Sequence, residues 1–255
     1  MSGTPTPLLS GVELSKHFGG LVAVDHVSLD VYAGEVLGVL GDNGAGKSTL
    51  IKMISGVHQP DGGRLLWHDV PVSFSTPEGA RRIGIETIYQ DLALCENLDA
   101  AANIFLGREP VRNILGILHA VDRRRMLDES RRILNQLDIR IPALSRPIRQ
   151  MSGGQRQAVA IARAVYWNAQ LMIMDEPTAA LGVAEQRKVL TLVRTLREHG
   201  VGVIIISHNL QDVLDVTDRI VVMRRGRLVG ERKTSATDST DLLGLIVGAE
   251  RFDVA

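Results

Sequence analysis

The chain has 255 residues, enough for one large α/β domain with a subdomain inserted in it. Its 29 basic and 29 acidic residues cancel, which removes the basic footprint expected of a non-specific nucleic-acid binder. A single cysteine, Cys95, excludes an internal disulfide framework, fits a reducing compartment and reads as a small buried side chain.

The opening MSGTPTPLLSG lacks the basic and apolar regions of a signal peptide, and runs such as VGVIIIS (201–207) are far shorter than a membrane span. A soluble, cytoplasmic chain is expected, with any membrane role coming through a partner. Short Val- and Ile-rich runs then alternate with helical patterns, the mark of a mostly parallel, doubly buried sheet. The strand candidates are VLGVL (36–40), GIETIY (84–89), LMIMD (171–175), VGVIII (201–206) and RIVVM (219–223). Hairpins are expected where VSLDV leads to Gly34, over GRLLWHDVPV (63–72), and over RIVVMRRGRLVGE (219–231). From about Asp91 to Arg149 the strand signal fades. DRRRMLDESRRILNQLDI (122–139) has helical periodicity, and its arginine run reads as a solvated face.

GDNGAGKST, residues 41–49, fits the phosphate-loop pattern at Gly41, Gly46, Lys47 and Ser48, with a strand before it and a helix running to Gly56 after it. Glycines at Gly44 and Gly46 let the backbone wrap phosphate, where a Cβ would crowd the oxygens. The amides converge at the positive end of the helix dipole, Lys47 reaches the β- and γ-phosphates, and Ser48 ligates Mg²⁺. Asp175 ends a buried strand, where open α/β sheets bind ligands, and is placed to hold Mg²⁺ through water. Alternation along the strand gives its neighbour Glu176 a different task, orienting and polarising the attacking water. Gln90 and His208 also end strands. The amide of Gln90 could sense a γ-phosphate, Mg²⁺ or water, and the His208 imidazole could donate to the γ-phosphate. Met172 and Met174 read as core.

A second cradle lies at SGGQRQAVAIARAV. Ser152 is a natural N-cap, and Ala158, Ile161, Ala162 and Val165 form an apolar stripe. The amides of Gly153, Gly154 and Gln155 would point along the axis at an anion. This cradle has no lysine, so it is expected to serve the nucleotide of another copy.

With these motifs in this order, the chain resembles the ATP-binding subunit of ATP-binding cassette (ABC) transporters over nearly its whole length. GDNGAGKST is similar to the Walker A loop, including Asp42, Asn43, Ala45 and Thr49. Gln90 is similar to the Q-loop, MSGGQ to the signature motif with Met151 in place of Leu, LMIMDE to Walker B with the catalytic Glu, and His208 to the switch histidine. Phe18 falls where the family stacks an aromatic ring on adenine.

The resemblance implies a P-loop NTPase core with a mostly parallel sheet, an antiparallel β subdomain and an inserted helical subdomain of about residues 91–165, all in one domain over 1–255. It also implies ATP and Mg²⁺ as cofactors, with Ser48, Gln90 and Asp175 toward the metal and Lys47, Gln90, Glu176 and His208 catalytic. Two copies would pair head to tail, and the surface of roughly 90–110 would grip membrane permease subunits. EPTAALGV and IYQDLALCENLDAAANIFLGRE look like the simple-sugar import branch, which implies a periplasmic sugar-binding protein as an indirect partner, no nucleic acid, and a place on the cytoplasmic face of the inner membrane.

Two departures stand out. Gly182 replaces the usual Asp of the loop after Walker B, and the chain carries one cassette where that branch commonly fuses two. A soluble DNA-repair or translation ATPase, an exporter and a non-hydrolysing regulatory cassette are the rival readings. The absence of long coiled coils and basic tracts weighs against the first, the absence of a fused membrane domain against the second, and Glu176 with His208 against the third.

Overall fold

Strands buried on both faces need cover from two layers, and the fold supplies both. The computed structural model describes residues 6–114, 118–179 and 181–248. The strands are β1 (Leu9–Phe18), β2 (Leu21–Val31), β3 (Val36–Leu40), β4 (Gly62–Trp67), β5 (Val70–Val72), β6 (Ile85–Ile88), β7 (Val111–Ile114), β8 (Leu118–Val121), β9 (Leu171–Asp175), β10 (Gly202–Ile206), β11 (Arg219–Arg224) and β12 (Arg227–Lys233). The helices are α1 (Lys47–Ile54), α2 (Pro77–Arg82), α3 (Ala100–Phe105), α4 (Arg123–Gln136), α5 (Gly153–Tyr166), α6 (Val183–Glu198), α7 (Leu210–Val216) and α8 (Ser239–Val247).

The central sheet has the order β12-β11-β3-β10-β9-β6, parallel throughout except for β12. Alternate side chains of its strands feed two separate cores. Met172, Met174, Val203 and Ile205 join the core formed with α3, α4, α5 and α6. Leu171, Ile173, Ile204 and Ile206 join the core formed with α1 and a four-stranded antiparallel sheet of order β2-β1-β4-β5. The two methionines are fully buried, as the sequence suggests.

Two hairpins follow their turn chemistry. The β4–β5 turn has His68 and Asp69 both at positive φ, and the β11–β12 turn has Arg225 and Gly226 likewise. This backbone matches the twist of the strands it joins. The expected VSLDV–Gly34 hairpin does not form. β2 pairs antiparallel with β1, while β3 lies parallel between β11 and β10. The physical reason is burial: β3 is buried at every residue, whereas β2 alternates buried and exposed positions and suits a sheet with one wet face.

The segment between β6 and β9 is helical, with one exception. β7 and β8 pair as a two-stranded antiparallel sheet where no strand was expected. Val111 and Val121 are exposed there, so the segment carries no burial alternation for a sequence reading to detect. α4 begins at its N-cap Asp122, whose side chain accepts from the Arg125 amide; its arginines pair with Asp128 and Glu129 on the outer face and with Asp99, the nearly buried N-cap of α3. Cys95 is only half-buried. The neighbouring buried anchor is Asn103, whose amide bonds Cys95, Leu98 and Asp99.

Glu86 on β6 is a buried carboxylate whose Oε1 finds no partner, with Arg81 Nε 3.7 Å from Oε2. Burial raises its pKa, opposed in part by Arg81, Arg163 and Arg108. A carboxyl whose folded pKa is raised contributes stability below its ordinary value, and that stability is lost as pH rises through the raised one. Glu86→Gln is therefore expected to gain stability relative to the wild type as pH rises above about 4.5. Urea unfolding curves at several pH values check this, and parallel pH dependences for the two proteins contradict it.

Candidate nucleotide site

The carboxyl ends of β3, β9 and β10 lie side by side, and each delivers part of the site. β3 runs into the 41–49 loop and then α1. Gly41 and Gly46 are needed for close approach to protein backbone. A Cβ on Gly41 would collide with the Met223 carbonyl, and one on Gly46 would come within 2.5 Å of the Ala23 carbonyl. Gly44 has open space around it and is required instead by its φ of 79°. The β11–β12 turn braces the loop, since the Gly226 amide donates to the Ala45 carbonyl at 3.0 Å.

Gly46 is the N-cap of α1, and no side chain caps this helix end. Its first-turn amides are left to an anion, at the positive end of the dipole. Ser48 and Thr49 stand in that first turn, while Asp42 and Asn43 are exposed on the loop rim. Lys47 folds back along the loop, where Nζ donates to the carbonyls of Gly41 at 2.6 Å and Asp42 at 3.0 Å. Burial lowers its pKa, and the negative charges of Glu176, Asp175 and Asp42 oppose that shift. Asp175 shifts the other way: burial and the adjacent Glu176 raise it, against Lys47 and Lys52. Lys47 and the two carboxylates thus share one electrostatic environment.

Among the described residues no cluster of three or more His, Cys, Asp and Glu side chains could hold a metal ion. The donor set of one carboxylate, one hydroxyl and one amide fits Mg²⁺, which keeps water and takes substrate phosphate oxygens.

Glu176 leaves β9 at a φ of 53°, with its amide donating to the Ile206 carbonyl at 2.9 Å. That bend turns its carboxylate away from Asp175 and toward the end of β10. Its Oε2 lies 2.8 Å from Nδ1 of His208, a close contact whose angles fall short of a hydrogen bond. The His208 side chain is 77% exposed. Gln90 sits two residues past the end of β6, exposed, and lines a cleft of about 340 Å³ with Glu176 and Gly153. Phe18 ends β1, 44% exposed and edge-on to His58.

The second cradle is built, with a carboxylate of this chain beside it. Ser152 caps α5, accepting from the Gln155 amide at 3.4 Å, and the Gln155 side chain accepts from the Ser152 amide at 3.0 Å. Glu185, from the first turn of α6, lies against Gly153 and Gly154, and the neighbouring Ser152 hydroxyl holds its pKa below the ordinary range, helped by the Gly154 and Gly182 amides. Leu181 lies over Gly153. Of the amides expected to face outward, that of Gln155 is bonded to Ser152, and the group nearest the helix end is itself an anion.

Gly182 is the N-cap of α6 at an ordinary φ of −70°, with open space where a Cβ would stand. Nothing steric in the structure requires glycine there. Ala180, in the same loop, lies outside the described residues.

Residues missed in the sequence include Glu185 and Arg163. Arg163 of α5 donates to the Leu92 and Ala93 carbonyls and so ties the Gln90 loop to the helix that begins at Ser152. Only a long-range fold places either residue, because their partners are 33 and 71 or so positions away.

A buried strand, a glycine loop closed by Lys47 on α1, and an Asp–Glu pair ending the next strand but one define a P-loop nucleotide-binding protein. More narrowly, the chain belongs to the ABC transporter family, whose profile matches residues 24–179. It is 48% identical over 235 residues to a xylose/arabinose import ATP-binding protein of Sulfolobus acidocaldarius, covering 92% of each chain. It is 42% identical over 247 residues to a fructose import ATP-binding protein of Rhizobium meliloti, covering 96% of this chain and 95% of that one. A ribose import ATP-binding protein of Rubrobacter xylanophilus is 44% identical, and the match covers 95% of this chain but 47% of the relative. Among solved structures, a nucleotide-free ATP-binding cassette from an ABC transporter superposes with a TM-score of 0.80 at 26% identity, covering 95% of both chains.

Gly46→Ala forces both a disallowed φ and a contact with Ala23, a strain of about 1–3 kcal/mol. ATP affinity is expected to fall about tenfold or more, with far-UV circular dichroism unchanged. Titration with a fluorescent ATP analogue measures it, and wild-type affinity would contradict the backbone argument.

Proposed function

We propose that this chain is the ATP-hydrolysing subunit of an importer that energises monosaccharide uptake through membrane permease subunits. The observation that carries the reading is the meeting of the Lys47 loop, Asp175, Glu176 and His208 at the carboxyl ends of three neighbouring strands. The names of the relatives, each a sugar import ATP-binding protein, support the sugar class. A periplasmic sugar-binding protein would act indirectly, through the permease. No helix among the described residues is long and apolar enough to cross a membrane, so attachment to the cytoplasmic face of the inner membrane would come through the permease. Residues 1–255 are taken as one ATP-binding domain whose helical subdomain spans about 91–165.

In this reading Phe18 stacks on adenine and the 41–49 backbone holds the phosphates, with Lys47 swinging from its own carbonyls to the β- and γ-oxygens. Ser48, Gln90 and Asp175 would hold Mg²⁺, which would supply positive charge to neutralise the phosphates. Glu176 accepts hydrogen from the attacking water and orients it in line with the γ-phosphorus. His208 donates to a γ-phosphate oxygen, and its proximity to Glu176 keeps base and donor on the same side of the reaction. Ser152, Gly153, Gly154 and Gln155 complete the site of a second copy. A carboxylate of this chain, Glu185, already stands beside the helix end, which supports its use for a partner's phosphate.

Lys47→Ala is expected to lower ATP hydrolysis by about 100-fold or more. Glu176→Gln should do the same while retaining ATP and trapping a dimer visible by light scattering. Normal hydrolysis by either variant refutes the site. Ser152→Arg fills the second cradle without touching the first, so it should preserve ATP binding and lose hydrolysis by about tenfold or more. Full activity in that variant shows that α5 takes no part.

A further inference from the structure

His208 is exposed on a three-residue link between β10 and α7, and by itself nothing on its side chain fixes its aim apart from Glu176. The link is fixed at both ends. At one end Ser207, fully buried, accepts from the Asn209 amide at 3.1 Å. At the other, Asn209 caps α7, accepting from the amides of Gln211 at 3.0 Å and Asp212 at 3.4 Å. Asp212 then reaches back across the site. Its Oδ2 accepts from the hydroxyl of Thr178 at 2.7 Å.

Both partners are buried, Thr178 at 4% exposure and Asp212 at 7%. Thr178 lies in the turn that Glu176 opens, which closes by the Ala179 amide donating to the Glu176 carbonyl at 3.1 Å. The Thr178 carbonyl is in turn held by Gln186 Nε2 at 3.4 Å from α6. Two bonds therefore join the Glu176 turn to the His208 link. One is the backbone bond from Glu176 to Ile206 at the root, and the other is the buried side-chain bond two residues farther out.

We propose that Thr178 and Asp212 are positioning residues that set the separation of Glu176 and His208, and so the rate of the hydrolytic step. This rests on the roles given above to Glu176 and His208. A hydrogen bond to a buried carboxylate is among the stronger ones, and it cannot be exchanged for water at this depth. With the bond in place, α7 and the Glu176 turn move as one piece. Without it, only the backbone bond at the root is left to hold the turn against the link, and the 2.8 Å contact between Oε2 and Nδ1 depends on the exposed His208 side chain. The nucleotide cradle at 41–49 makes no contact with the Thr178–Asp212 pair in the hydrogen-bond network, so binding and chemistry should respond separately.

The test uses the full chain and compares steady-state hydrolysis with binding of a fluorescent ATP analogue. Thr178→Val is expected to lower kcat by about tenfold, as a displacement of a fraction of an ångström does, with analogue affinity within about twofold of wild type. Thr178→Ser, which keeps the donor, should restore kcat to within about twofold. Thr178→Val leaves a buried carboxylate without its donor and can unfold the chain, so a second variant combines it with Asp212→Leu. Replacing both partners by apolar groups recovers stability, and the combined variant should melt like wild type while kcat stays low.

Wild-type kcat in a folded Thr178→Val or in the combined variant overturns the proposal, as does an equal fall in binding and kcat. In a Glu176→Gln background, Thr178→Val should add less than about twofold, because it acts through that residue. If Glu176→Gln itself hydrolyses ATP normally, the reading of the site fails and the clamp with it. If Glu176→Gln is slow and Thr178→Val is fast, only the clamp fails.

Discussion

A parallel sheet has no wet face, and most of this molecule follows from that constraint. The strands β11, β3, β10 and β9 are bonded along both edges, β6 closes the sheet with one edge bonded, and all need apolar cover above and below. The alternation Leu171, Met172, Ile173, Met174 answers it residue by residue, sending odd positions to one core and even positions to the other. One cover is α5 and α6 with the helical segment packed behind them. The other is α1 with the antiparallel sheet. Neither cover closes over the carboxyl ends of the strands, and the polar residues Asp175, Glu176 and His208 sit there for that reason.

The same ends are where the backbone departs from easy geometry. Glu176 holds a left-handed φ that a non-glycine residue adopts at a cost of about 1 kcal/mol or more. The backbone bond to Ile206 and the buried Thr178–Asp212 bond fix the turn on either side of it. Lys47 is in a comparable position, half-buried and bonded to carbonyls of its own loop, its charge supported by Glu176 and Asp175. On the proposed reading, an arriving phosphate does not have to organise this lysine, only to draw it away from two carbonyls.

The parts legible in the sequence are those whose signal is local. The 41–49 loop, the strand before it and the helix after it announce themselves within twenty residues, and so do the two hairpins with paired positive-φ turns. The pairing of β2 with β1 was not legible, because VSLDV and VLGVL both carry strand-forming apolar residues and a glycine between them looks like a hairpin turn. Only the difference between one-faced and two-faced burial separates them. β7 and β8 were missed because their valines face solvent. Thr178, Asp212, Glu185 and Arg163 carry ordinary surface chemistry in the sequence. Each gains meaning from a partner more than thirty positions away, which no spacing rule reaches.

Two helices in this chain start from glycine-rich turns, and their ends differ in how they are kept. α1 starts at a glycine with no side-chain cap, so its amides have nothing of the protein's own to satisfy them. α5 starts at a full capping box and holds the Glu185 carboxylate as well. The difference follows from what surrounds each. The α1 end faces a lysine, and a resident carboxylate there would compete with phosphate for the same cation. The α5 end has no lysine, and a carboxylate of the chain's own can stand beside it without competing for a cation. On the proposed reading, the open cradle holds the chain's own nucleotide and the second takes a phosphate presented by another copy, displacing Glu185 by an anion of higher charge.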